Sequence, residues 1–140
     1  MSLTMTRQSD QQIFISHSAS DSSTAKALSK ALSERGLRAS SWVETAAFGA
    51  QIARTLEQAL RSADWYIVLV SEDALKSPNV NFEIGAAIGG KKRVLPVFLS
   101  RSAQRKVGSS LRGFSGILAE GLSPKAIADK VAQAIEKEAA

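Results

Sequence analysis

The sequence predicts an α/β domain of flavodoxin-like, three-layer build, with five parallel strands in the order 2-1-3-4-5. Three observations carry this. Apolar strand-like segments alternate with amphipathic ones, a pattern that implies right-handed crossovers and helices on both sides of a sheet. Trp65-Tyr66-Ile67-Val68-Leu69-Val70 is apolar without interruption, as expected of a parallel strand covered on both faces. A chain of 140 residues, 44% of them apolar, supplies one domain with one core.

Taken in order, Ile13-Phe14-Ile15 is the first strand, followed by the polar stretch Ser16 to Ser23. A helix then carries Ala25, Leu28, Ala31 and Leu32 on one face, and Gly36 stands where a left-handed cap belongs. Arg38 to Val43 reads as the second strand and Glu44 to Gly49 as a loop. Ile52, Leu56 and Leu60 share the face of the next helix, which leads into the strand Trp65 to Val70. Ser77-Pro78 reads as an N-cap with proline at the first helical position, opening a helix that runs through Glu83 to about Ile88. Val94 to Leu99 is the fourth strand, although Pro96 inside it removes a ladder donor. Arg101 to Gly113 carries no assignable pattern. Phe114 to Leu118 reads as the fifth strand, and Ser123-Pro124 opens a last helix with Ile127, Val131 and Ile135 on one face. Residues 1–12 are polar and read as a disordered segment or an expression remnant. Residues 13–140 read as the domain.

Composition narrows the function. The absence of cysteine excludes a disulfide framework, a thiol nucleophile and a cysteine-ligated zinc site, and fits a cytoplasmic location. A single histidine makes a transition-metal site improbable. No apolar run reaches the roughly 20 residues of a membrane span. The formal charge of +5 clusters partly in Lys91-Lys92-Arg93 and in Arg101, Arg105, Lys106 and Arg112. No aromatic residues interleave with these charges, so they read as a solvated rim rather than a nucleic-acid platform.

In the 2-1-3-4-5 order, strands 1 and 3 are neighbours whose chains leave to opposite faces. The crevice at their carboxyl ends is the expected binding site, flanked by Ser16 to Asp21 and by Ser71 to Glu83. Glu83 is the candidate working group there. A helix N-terminus keeps its carboxylate ionised, while partial burial pushes its pKa up. Ala86 and Ala87, one turn on, leave space beside it. Such a carboxylate can hold ribose hydroxyls and stabilise an oxocarbenium ion. A solvent-facing helix glutamate is the plain alternative.

Phe14-Ile15-Ser16-His17-Ser18 with Asp21 resembles the first box of a bacterial-type TIR (Toll/interleukin-1 receptor) domain. Gly49 and its helix, Val70-Ser71, the stretch Ser77 to Glu83, and Val94-Leu95-Pro96-Val97 follow in matching order, so the resemblance spans Ile13 to about Ile135. It implies an NAD+ glycohydrolase that splits the nicotinamide–ribose bond, with NAD+ as substrate and no cofactor. Glu83 would be the catalytic residue, and the product ADP-ribose or a cyclised form. It also implies self-association, contacts with other TIR proteins, and a defence or signalling role. Members of this family usually carry tryptophan four residues before the glutamate; this chain has Asn79, which would face substrate one turn away. Ser16 and Ser18 are further candidate substrate contacts. Phe48 and Gly49, in the family's second loop, are candidate subunit contacts.

Two other readings remain open: a catalytically idle module acting through TIR–TIR contacts, and a different N-glycosidic enzyme resembling nucleoside deoxyribosyltransferases. Gly85 to Lys92 approximates a phosphate-binding loop but ends in Lys92 and closes a helix, which is the wrong context. His17, Ser16, Ser18 and Asp21 are too close in sequence to converge as a hydrolytic triad. A phosphoreceiver would need an acidic cluster that the end of strand 1 lacks.

Overall fold

The computed structural model describes residues 11–41, 61–108, 111 and 113–139. In chain order it contains β1 (Gln12–Ser16), a 3-10 turn (Ala19–Asp21), α1 (Ser22–Ser33), β2 (Arg38–Ser41), β3 (Trp65–Val70), α2 (Glu72–Leu75), α3 (Pro78–Gly89), β4 (Arg93–Phe98), α4 (Arg101–Lys106), β5 (Ile117–Leu118) and α5 (Pro124–Ala139). The strands form one parallel sheet in the expected order, β2-β1-β3-β4-β5. Residues 42–60, which hold the end of the expected second strand, the Glu44 to Gly49 loop and the helix of Ile52, Leu56 and Leu60, lie outside the described residues.

The two-residue period of the strands divides the core between two faces. Ile13, Ile15, Trp65, Ile67, Leu69, Leu95 and Val97 face the inner sides of α1 and α5, met by Leu28, Leu32, Ile127, Val131 and Ile135. Phe14, Tyr66, Val68, Val70 and Phe98 face the other way, onto Val80, Ile84 and Ala87 of α3 and Ala103 of α4. All six residues of β3 are buried, as its uninterrupted apolar sequence requires. Each large side chain so covered is worth about 1.5–3 kcal/mol.

Helix ends follow local chemistry. The Ser77 hydroxyl accepts the Val80 N–H at 3.3 Å, and Pro78 takes the first helical position. Two short helices escape periodicity but carry the same cap: Ser71 accepts from Ala74 at 3.0 Å to open α2, and Ser100 accepts from Ala103 at 3.0 Å to open α4. The second of these occupies part of the stretch after Arg101 that has no sequence pattern, since only Ala103 anchors it. The C-termini of α1 and α3 end alike. Leu37 N–H bonds Leu32 C=O and Gly36 N–H bonds Ser33 C=O; Lys92 N–H bonds Ala87 C=O and Lys91 N–H bonds Ile88 C=O. This double bond pattern needs a left-handed residue. Gly36 supplies it with φ 83°, whereas α3 uses Lys91 at φ 59°.

Pro96 sits in an interior strand, opposite Val68. Leu99 N–H bonds Val70 C=O, so by alternation the nitrogen of Pro96 points toward β5 rather than β3. β5 pairs only with Val97 and Phe98, so no partner carbonyl stands opposite that nitrogen. The fifth strand is accordingly shorter than the expected Phe114 to Leu118. Gly116 passes so close that a Cβ there would lie 2.8 Å from the Pro96 carbonyl and 2.6 Å from the Phe98 ring.

Candidate functional site

Glu83 lies on the inward face of α3, because Val80, Ile84 and Ala87 set that face at helical spacing. It is 4% exposed, more deeply covered than a partly buried crevice residue. Ala87 is packed in the core at its side, so the space expected beside the carboxylate is filled there, while Ala86 is exposed. Ser16, the last residue of β1, projects to the same face as Phe14 and donates a short hydrogen bond to Glu83 Oε1. The phenol of Tyr66 donates to the same oxygen at 3.4 Å. Three residues from β1, β3 and α3 thus meet around one carboxylate at the carboxyl end of β1.

Tyr66 is fully buried and stacks on Phe14, ring centroids 5.5 Å apart and planes 7° apart. Burial pushes its phenol well above the ordinary value, the Glu83 carboxylate pushes in the same direction, and Ser16 acts the other way. The sequence reading missed this residue. A tyrosine inside a fully buried strand needs a partner for its hydroxyl, and that requirement was the available signal.

The two segments expected to flank the crevice do meet. Ser18 Oγ donates to Asp21 Oδ2 at 2.8 Å, Ser71 donates a short bond to the same oxygen, and Ser20 Oγ donates to Asp73 Oδ2 at 2.7 Å. Ser18 is therefore engaged in tying the β1 loop together, bonded to Ser20 and Asp21. His17 is nine-tenths buried, and its Nδ1 donates to the Ser18 carbonyl at 2.8 Å, which orders the loop. Asn79 lies in the first turn of α3; its side chain is outside the described residues, as are Phe48 and Gly49.

Lys91, Arg93, Arg101, Arg105 and Lys106 are exposed, as a solvated rim requires, and of the described members only Lys92 is partly covered. Lys92 Nζ donates to the carbonyls of Arg61 and Ala63 at 2.6 and 2.7 Å. Lys106 pairs with Glu72 at 2.6 Å. Ser102 also donates to Glu72, and together these partners hold the Glu72 carboxyl below its usual range. Cavities of about 310, 360 and 640 Å³ open at the amino-terminal end of the sheet, away from Glu83.

These features define a doubly wound α/β domain with a buried, hydroxyl-bonded carboxylate at the switch point of its sheet. The TIR domain family matches residues 13–127, and the chain belongs to that family. Among solved structures, the TIR domains of the activated Roq1 resistosome, which directly recognizes the pathogen effector XopQ, superpose with a TM-score of 0.54 at 19% identity, over 89% of this chain and 71% of that one. A protein of Burkholderia pseudomallei described as pilus assembly-related superposes with a TM-score of 0.52 at 19% identity, over 91% of this chain and 90% of that one. At such identity both likenesses speak for the fold alone. No curated protein matches the chain. Among the described residues, no helix is long and apolar enough to cross a membrane.

Proposed function

We propose that this TIR domain cleaves NAD+ at the nicotinamide–ribose bond, with Glu83 as its catalytic carboxylate. The observation that carries the reading is the placement of Glu83. It stands at the carboxyl end of β1, beside the switch between β1 and β3, and its Oε1 already accepts hydroxyl hydrogens from Ser16 and Tyr66. An oxygen that accepts two protein hydroxyls is chemically suited to accept those of a ribose.

In the proposed reaction the C–N bond to nicotinamide breaks with its electron pair passing to the ring nitrogen. That neutralises a cationic leaving group, so no general acid is needed. Positive charge develops on the anomeric carbon and the ribose ring oxygen, and the Glu83 carboxylate favours it electrostatically. Water then adds to the anomeric carbon and loses one proton to solvent. Capture by a nucleophile of the substrate itself would give the cyclised product instead. Ser16 keeps the carboxylate oriented, and Asn79 contacts the substrate from one turn away. Because Glu83 is 4% exposed, ribose access requires its cover to move. Self-association through the loop of Phe48 and Gly49 provides a cause for that movement, and ties activity to concentration by mass action.

The same burial favours a second reading, in which Glu83 is a structural tie between α3 and the sheet and the domain works as a TIR–TIR interaction module in signal transduction. Nicotinamide release from NAD+ across a range of domain concentrations separates the two. The enzyme reading expects release per molecule to rise with concentration. No release at any concentration, including from assembled protein, selects the module.

A further inference from the structure

Open space also lies at the opposite end of the sheet from Glu83. The 640 Å³ cavity opens between the first residues of β3 and β4, the segment 113–115 and the last turns of α5. Its size is within the roughly 300–1,000 Å³ typical of small-molecule sites. The geometry points to a binding site there for a small molecule that joins a flat ring to a phosphate, the chemistry of a nucleotide.

The walls argue for both halves of such a ligand. Trp65, Phe114 and Leu95 provide apolar surface, while Arg93, Lys92 and Lys137 bring positive charge against the single carboxylate of Glu138. Arg93 is the β4 partner of Trp65, and its guanidinium lies 5.7 Å from the indole centroid. That stacking orients a planar fork at the cavity, the geometry that bonds a phosphate through two N–H groups. Lys92 is committed to the carbonyls of Arg61 and Ala63, so Arg93 and Lys137 are the cations left for the anion.

Unmet polar atoms point the same way. The indole N–H of Trp65 is buried and has no hydrogen-bond partner among the described residues. Buried donors almost always have one, so this N–H, closed to solvent in the wall behind the cavity, is a demand that a small shift of the wall would bring to an acceptor in the cavity. The 360 Å³ cavity adjoins this one and shares Lys92 and Arg93 with it. Gln11 is one of its walls, and the Gln11 side-chain oxygen is also buried without a partner among the described residues. Lys91, the residue with positive φ that closes α3, lines the same cavity. A cation retained in a strained backbone position is the kind of feature that collects at binding sites. The two cavities with Arg93 between them would accommodate a molecule longer than a single ring, its phosphate at the junction.

The test is calorimetric titration of the purified domain with AMP, adenosine and inorganic phosphate, repeated on Arg93→Gln/Lys137→Gln and on Glu83→Gln. Both substituted cations are exposed, so the double variant should keep its fold, which a thermal melt verifies. AMP is expected to bind saturably to the wild type and equally to Glu83→Gln, more tightly than adenosine or phosphate alone. The double variant should weaken AMP at least about tenfold, the scale of one lost charge-assisted contact. Phosphate binding as tightly as AMP would overturn the nucleotide assignment. AMP binding that survives the double variant, disappears with Glu83→Gln, or is absent from the wild type would overturn the site.

Discussion

Tyr66 is the only tyrosine of the chain, so its ionisation can be followed without interference from another phenol. Burial and the neighbouring Glu83 carboxylate both raise its pKa. In the unfolded chain a tyrosine ionises near pH 10. Above that pH the unfolded state sheds a proton that the native state keeps. The stability contributed by the neutral phenol is therefore complete below about pH 10 and is lost as pH rises. The slope from this one group is about 1.4 kcal/mol per pH unit. Across one and a half units that comes to about 2 kcal/mol, a large share of a typical domain's 5–15 kcal/mol. Urea denaturation at stepped alkaline pH should show this slope in the wild type, with the decline flatter by that amount in Tyr66→Phe. Phenolate absorbance in the native protein should appear only together with loss of the far-ultraviolet circular dichroism. Glu83→Gln removes one of the two causes and should let the phenol ionise at lower pH than in the wild type. Phenolate absorbance rising near pH 10 while the dichroism stays native would refute the buried Ser16–Tyr66–Glu83 cluster.

Three other expectations concern Ser16, the helix caps and Glu72. Ser16→Ala removes the short donor and leaves Glu83 Oε1 with the 3.4 Å bond from Tyr66, so denaturation should show a loss of about 1.5–3 kcal/mol, the usual worth of a hydrogen bond to a charged group; a loss below about 0.5 kcal/mol would contradict this geometry. Lys91→Gly relieves a left-handed residue worth about 1–2 kcal/mol of strain against glycine's own entropic cost of about 0.5–1 kcal/mol, and should raise the melting temperature by up to about 3–6 °C, whereas Gly36→Ala at the equivalent cap of α1 should lower it. The Glu72 carboxyl, held low first by Lys106 and then by Ser102, should titrate by NMR below the ordinary glutamate range and move upward in Lys106→Gln; any stabilisation from it is present at neutral pH and fades as pH falls through the folded value.

Much of this architecture is legible in the residues. Ala25, Leu28, Ala31 and Leu32 are buried on α1, and Ile127, Val131 and Ile135 on α5, because an amphipathic stripe has one way to meet a sheet. The uninterrupted β3 announced a strand covered on both faces. The helices α2 and α4 were illegible because four and six residues carry no period, although each begins at a capping serine. Pro96 looked like a weakness in the fourth strand. Its harmlessness depends on which side its nitrogen faces and on where β5 starts, and both are tertiary facts. Glu83 was legible as a candidate from its place on the helix after the third strand. Its depth was not: the residues suggested partial burial, whereas packing of Val80, Ile84 and Ala87 against the sheet turns position 83 fully inward. The partnership with Ser16, 67 residues away, was not, since only the sheet order brings the two together.

The most direct measurement is nicotinamide release from NAD+ by the wild type and by Glu83→Gln, at matched high concentration and with matched melting temperatures. Glutamine keeps the shape and can still accept the Ser16 hydroxyl, so the fold is retained while the negative charge is lost. The account predicts release by the wild type and none above background by the variant. Equal release by both would contradict the role given to Glu83.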